Sequence, residues 1–554
     1  MNKLAAMIYL TLIVVSILSG GGQTRDQRGD AVSAMGGDRC IDKDMYLTVA
    51  QKVYEDQKRA IVIAAEEEKQ LIIPADFDLS HMGYQVEPNI EGIRNVDQVF
   101  PKEYSDMEGV LSFRGNNFRD TASYGIADVQ EKKLEILWAF KTGSRSWGGG
   151  AGWTGQPSII KWPEEIRKIM NIQDEFKEKE NFVEVVSPSL DGKIYFFALE
   201  SGKQTRDPID IKNPIKGSVA LDPRGYPILY VGQGIPETGE IGYRIFSLID
   251  GKLLFFIKGI DPFAYRGWGA FDGAPVINRN TDTLIMGGEN GLFYNIKLNT
   301  ALDIENKHIE MNPEVMKYRY KVKDNAYQGI ENSVAVYKNF AYFADNGGSI
   351  QAVDLTTMKP VWVLEKIDDT DATITIEVEE DTPFVYTGTE VDKQGTKGNA
   401  HLRKIHGLTG ETIWEKEYHC ISLQGEKPVN AGLFATNIIG KHDIENMVVF
   451  TLARYNKFHG GLMLALDKKT GEEVWRWEMP NYAWSSPVSI YDSEGKSYII
   501  QGDSTGTIFL LEGKTGEILS QINVGVNIES SPAVFNDILV IASRGGKIFG
   551  IKIK

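Results

Sequence analysis

The residues best placed to do chemistry in this chain sit in three tryptophan-bearing stretches: SRSWGGGAGWTGQP (Ser144–Pro157), YRGWGAFDGAP (Tyr265–Pro275) and NYAWSSP (Asn481–Pro487). In the first, three consecutive glycines between two tryptophans let the backbone approach another group closely. Trp153, Trp268 and Trp484, gathered at one place, could stack on a flat ligand such as a quinone or a sugar ring. The competing use is packing between adjacent structural units, and that is the expectation for each. Arg145, Arg266 and Arg544 lie near strand starts or turns, where an anion could bind; ordinary surface ion pairs are the expected fate.

Acidic residues recur in turns at Asp272, Glu289, Asp345 and Asp503. Paired carboxylates can hold Ca²⁺ or act as a general base. Glu289, Asp345 and Asp503, however, fall in GENG, DNGG and GDSTG, where a short acid favours the turn itself, so a turn role is expected. Seven histidines show no zinc-binding spacing, and there is no phosphate loop. Two cysteines, Cys40 and Cys420, exclude a disulfide framework and a four-cysteine metal site. A bridge between them stays open, with two independent thiols expected.

These residues must be positioned by a repeated element. Gly461 to Trp475, GLMLALDKKTGEEVW, reads as a strand, a tight turn and a second strand, with Leu462, Leu464 and Leu466 alternating in the two-residue period of a half-buried strand. The frame recurs eight times, beginning at Gly192, Gly242, Gly291, Gly348, Ala400, Gly461, Gly506 and Gly546, at spacings of 40 to 61 residues. Asp354 to Trp362, His406 to Trp414 and Asp467 to Trp475 share one spacing of eight. Upstream strands open with TGQPSII, DGAPVIN, WSSPVSIY and ESSPAVFN, and a third strand follows each. Four strands per unit at this period predict an all-β fold, an eight-bladed β-propeller over residues 134–554. The last copy stops at Lys554 without an outer strand, and LEILWAFKTG (Leu134–Gly143) has no glycine frame before it. Pairing the two would close the ring and leave no open sheet edge.

The 554 residues exceed one ordinary core, but a propeller grows by adding blades. A formal charge of −16 argues against nucleic acid and anionic membrane surfaces and suits solubility. Residues 1–22, with Lys3 and an apolar run from Leu4 to Leu18, read as a signal peptide or an uncleaved membrane anchor. A flexible tether is expected over 23–41. A helical and irregular extension follows over 42–133, with a helix from Asp42 to Lys69 and LSFRGNNFRDT (Leu111–Thr121) as its most distinctive piece. Lys161 to Phe182 predicts an amphipathic surface helix inserted in the first blade.

The repeats LDKKTGEEVWRWE and LEGKTGEIL resemble the pyrroloquinoline quinone (PQQ) repeat, and residues 134–554 resemble an eight-bladed quinoprotein-like propeller. The resemblance implies one of two groups: PQQ- and Ca²⁺-dependent alcohol and sugar dehydrogenases of the bacterial periplasm, or non-enzymatic propellers that include an outer-membrane assembly lipoprotein. The chain lacks the adjacent cysteine pair of the alcohol-oxidising members, and their calcium ligands and catalytic Asp align to no motif here. It also lacks the lipid-acceptor cysteine of the assembly lipoprotein. The expectation is therefore an exported, extracellular or periplasmic propeller that binds a cell-envelope protein or extracellular ligand without catalysis. The alternative is a dehydrogenase holding PQQ and Ca²⁺ at the channel mouth, with Trp153, Trp268 or Trp484 as the stacking floor, Arg266 beside the cofactor and Asp272 as the base.

Overall fold

A computed structural model describes residues 71, 78–88, 98–153 and 155–554. The expected export segment, tether and Asp42–Lys69 helix, with Cys40 and Thr154, lie outside the described residues. The remainder is an eight-bladed propeller of antiparallel sheets. Each of the eight glycine frames forms the third strand of its blade, as in Lys193–Ala198, Gly461–Asp467 and Thr507–Glu512.

The predicted closure is present. Strand β4 (Leu134–Lys141) pairs with Lys547–Ile553 from Ile553 opposite Leu134 to Lys547 opposite Lys141, so the chain's early strand completes its last blade. Pairing at that edge removes a row of open backbone groups that would otherwise recruit other chains.

The spacing between turn glycine and tryptophan has a direct packing cause. Trp475 lies against Gly516 of the next blade, where an added Cβ would come within 2.6 Å of the indole, and its Nε1 donates to Gly513 O at 3.1 Å. Gly516 takes φ 70°, a left-handed conformation that glycine adopts without strain. Trp138 repeats this on Gly202 and Leu199 O, Trp362 on Gly410 and Gly407 O, and Trp414 on Gly471 and Lys468 O. The repeat tryptophans are thus keys between neighbouring blades. Trp362 is fully buried, whereas Trp475 is only partly so.

A second seam runs nearer the axis. Gln156 N–H donates to Ser218 Oγ of the next blade, and the same step carries Ala274 to Ser333, Ser333 to Thr373, Thr373 to Thr436, Thr436 to Ser486 and Ser486 to Ser531. Ser531 N–H returns to Gly155 O and links the eighth blade to the first. The gap lies between the second and third blades, where Ala274 has no hydroxyl to offer Ser218.

The extension before the ring enters its centre. Strand β1 (Met82–Glu87) adds a fifth strand to the third blade along Glu314–Val322, while β2 (Gly109–Val110) and β3 (Ser123–Tyr124) pair with the innermost strands of the first and last blades. Residues 109–124 hydrogen-bond to every blade. Leu111 O accepts from Leu221 N–H, Phe118 O from Ile376 N–H and Ala122 O from Val534 N–H. Arg119 donates to Val334 O and Ala274 O, and Arg114 to Asn437 O and Pro487 O. The irregular stretch LSFRGNNFRDT is therefore a plug through the channel. The expected insertion helix is two short helices, α1 (Glu164–Ile169) and α2 (Asp174–Lys177), whose Ile166, Ile169 and Phe176 are buried. Cys420 is a buried free thiol.

Candidate functional site

The second to eighth blades each place one residue at the channel mouth, two positions before the seam residue. Over the second to fifth blades these are Lys216, Asp272, Glu331 and Asp371; over the sixth and seventh they are Phe434 and Trp484; the eighth gives Glu529. The mouth therefore has a charged arc and an aromatic arc. Between them lies a recess of about 40 Å³, lined by Trp153, Asp272, Glu331, Asp371, Phe434 and Trp484 and floored in part by Phe113 of the plug.

The charged arc is crowded with acid. One oxygen each of Asp272, Glu289 and Glu331 lie within 4.8 Å of one another, as do those of Asp369, Asp371 and Glu390. Asn346 links the trios, its Nδ2 donating to Glu331 Oε2 at 3.2 Å and to Asp371 Oδ1 at 3.3 Å. Lys216 Nζ sits 2.5 Å from Asp272 Oδ2 and 3.5 Å from Glu331 Oε1, and 4.5 Å from the centre of the Trp153 ring. Among the described residues it alone ion-pairs with any of the six.

Burial and mutual repulsion push these carboxyls up. Burial, only partly offset by Lys216, lifts Asp272 to about 6; burial with Glu331 lifts Asp371 to about 8. Glu289, Asp369 and Glu390 are raised well above the carboxylate range, by burial first and by neighbouring acids second. Burial works to lower the Lys216 ammonium, but the surrounding carboxylates outweigh it and hold the proton firmly. Glu289 Oε1, Asp369 Oδ1 and Glu390 Oε1 are buried without a hydrogen-bond partner.

The aromatic arc is a chain of rings. Trp147 meets Trp153 at 6.5 Å, Trp153 meets Trp484 edge-on at 5.9 Å, and Trp484 stacks on Phe434 at 4.8 Å. The Trp484 indole N–H is buried and has no acceptor. Beyond it, Glu529 accepts from Trp153 N–H at 3.3 Å and lies 3.5 Å from Arg544.

Of the sequence-derived candidates, Trp153, Trp484 and Asp272 line the recess. Trp153 and Trp484 do not key blades together as their repeat counterparts do. Arg266 reaches the acids at one remove, donating to Asn346 Oδ1 at 2.5 Å. Trp268, half-buried, is not among the lining residues. Asp345 and Asp503 serve their turns, accepting from Ser349 and Thr507 N–H at 3.0 and 2.9 Å, while Glu289 faces the mouth acids. Arg145 pairs with Asp210. Sequence reasoning missed Lys216, Glu331, Asp369, Asp371 and Glu390. Aligning KGS, DGA, ENS, DAT, FAT, WSS and ESS in one column would have found the residues at the strand starts, but four of the eight starts lack the proline that marks the others.

Residues 459–554 match the family model described as outer membrane protein assembly factor BamB. A stretch of 89 residues is 32% identical to the outer membrane protein assembly factor BamB of Kangiella koreensis, covering 16% of this chain and 22% of that protein. Among solved structures, quinohemoprotein alcohol dehydrogenase from Comamonas testosteroni superposes with a TM-score of 0.54 at 12% identity, covering 80% of each chain. The corresponding Pseudomonas putida HK5 enzyme ADHIIG gives 0.53 at 11%, also over 80% of each. These likenesses bear out the resemblance to PQQ-repeat, quinoprotein-like propellers; the two dehydrogenase structures speak for the fold alone. Among the described residues, no helix is long and apolar enough to cross a membrane.

Proposed function

We propose that this protein is an exported propeller of the cell envelope that works as a non-catalytic binding platform, with the channel mouth as its contact face. The observation that carries this reading is the plug. Residues 109–124 close the channel against all eight blades, so the mouth is a shallow rimmed surface rather than a pocket. Its rim keeps exposed aromatic surface at Trp147, 37% accessible and set against Trp153, of the kind that anchors protein contacts. The partial match to an outer-membrane assembly factor supports an envelope setting.

Two features weigh against the quinone alternative. A recess of about 40 Å³ is far below the roughly 300 Å³ or more of cofactor pockets. PQQ is also a tricarboxylate, and the six clustered acids offer it one cation, Lys216, which is already ion-paired. The residues present do not fit that group.

A photoreactive residue at Trp147, or at Ile126 near the far end of the inner strands, tests the platform in producing cells. Adducts with an envelope protein are expected from position 147 and not from 126. Saturable binding of PQQ with Ca²⁺, accompanied by dye-linked alcohol oxidation, would overturn the reading.

A further inference from the structure

Lys216 shows how this mouth holds a cation. Its ammonium lies over the face of Trp153 at 4.5 Å while Asp272 and Glu331 flank it at 2.5 and 3.5 Å. Around the recess the same two chemistries meet again: Glu331 and Asp371 from the fourth and fifth blades stand next to Phe434 and Trp484 from the sixth and seventh. Behind the acid wall stand Glu289 and Glu390, 3% and 0% exposed, each with an oxygen that has no hydrogen-bond partner. The nearby cations are already engaged. Arg266 donates to Asn346 Oδ1, and Lys393, whose charge acts on Asp369, sits over the Tyr327 ring at 4.3 Å. Trp484 also holds a buried indole N–H that lacks an acceptor.

We propose that the channel mouth receives a basic side chain, an arginine foremost, projected from a loop of a protein partner, its charged head lodged between Glu331 and Asp371 and the Phe434–Trp484 wall. This rests on the platform reading and names the partner's chemistry. A guanidinium is weakly hydrated, forks to carboxylates and stacks on indole, which matches acids set beside rings. A Ca²⁺ ion would need six to eight oxygens around it, and the aromatic wall offers none. The recess is small, about 40 Å³. A backbone carbonyl beside the arginine would complete the Trp484 N–H.

The test uses the full chain, tryptophan fluorescence and the probe acetyl-Gly-Gly-Arg-Gly-Gly-amide, against a counterpart carrying neutral citrulline. Saturable change at roughly millimolar concentration or tighter is expected for the arginyl peptide. The citrulline peptide should bind at least about tenfold more weakly, a difference of one charge-assisted contact. Asp371→Asn should weaken the arginyl peptide about fivefold or more, with thermal melting confirming that the variant is folded; Trp484→Phe is the second variant, expected to keep binding but shrink the signal. Equal response to both peptides, or none, overturns the inference. So does Ca²⁺ alone saturating the signal at micromolar concentration and blocking the peptide. Loss of peptide binding with adducts from position 147 retained would sink the arginine site alone; PQQ binding would sink the platform as well.

Discussion

The two ends of the plug treat buried charge in opposite ways. Inside the channel Arg114 and Arg119 are buried to about 1% and 0% exposure, and neither donates to a carboxylate. All three guanidinium nitrogens of Arg119 donate, to Val334 O, Phe113 O, Ala274 O and Ser112 Oγ; in Arg114 the two terminal nitrogens do, and Nε has no partner. Burial draws both guanidiniums down to about 10, so they stay charged at neutral pH. A few residues away, at the mouth, six carboxylates share one lysine and several of their oxygens go unanswered. Where charge belongs to the architecture, the strands supply carbonyls to meet it; where it exceeds what the fold can meet, the fold is held ready for something from outside.

That contrast can be broken or sharpened by substitution. Deleting Leu134–Lys141 has the largest expected effect. It unpairs the edge of Lys547–Ile553, and size-exclusion chromatography should show aggregate in place of folded monomer. A soluble monomer of unchanged stability would refute closure of the ring by this strand. Next comes Arg119→Met, which strands the buried acceptors it now serves and should lower unfolding free energy by about 3 kcal/mol or more in denaturant titration. Trp362→Ala should cost about 3 to 5 kcal/mol and the partly exposed Trp475→Ala about 2, so their melting curves should separate in that order.

At the mouth the sign reverses. Asp371 is raised in the fold to about 8, so the native state holds its proton where the unfolded chain has released it, and stability falls as pH rises from about 4 to about 8. Asp371→Asn removes that penalty. The variant should be more stable than the parent by on the order of 1 kcal/mol at pH 8, with the gap closing near pH 5; a pH-independent gap would show that the acids are not strained by one another. The smallest effect is Ala274→Ser, which supplies the hydroxyl missing from the seam to the Ser218 N–H. A gain of about 0.5 to 1 kcal/mol is expected in the same denaturant assay.

Most of the ring was legible in the chain because its determinants are local and repeated. The turn glycine and the tryptophan eight positions after the turn opens recur together because one packs on the other across four of the blade boundaries. The closing strand was legible for a complementary reason: β4 carries the tryptophan and lacks the frame, while Gly546 carries the frame and lacks the tryptophan. The plug was not legible. Its partners are mostly backbone groups of strands that lie up to hundreds of residues away, and backbone groups leave no signature in residue type. The insertion's apolar spacing suggested one helix, but the chain turns extended at Met170, and α1 and α2 bury their apolar residues separately. Half of the mouth was seen, through Trp153, Trp484 and Asp272. The rest arrives one residue per blade at long intervals, on strand starts whose short polar motifs differ from blade to blade.

The plug also bears on how the protein is made. A chain emerging amino terminus first delivers residues 109–124 before any blade exists to receive them, and their last partner, Asn536, comes more than four hundred residues later. Until then Arg114 and Arg119 remain in water, and β4 has no sheet to join. A product cut short anywhere in the later blades would keep both an unplugged centre and an unpaired edge. The ring closes only once Lys547–Ile553 has been made, and a protease that recognises exposed strands can tell closed rings from open ones without reading anything else.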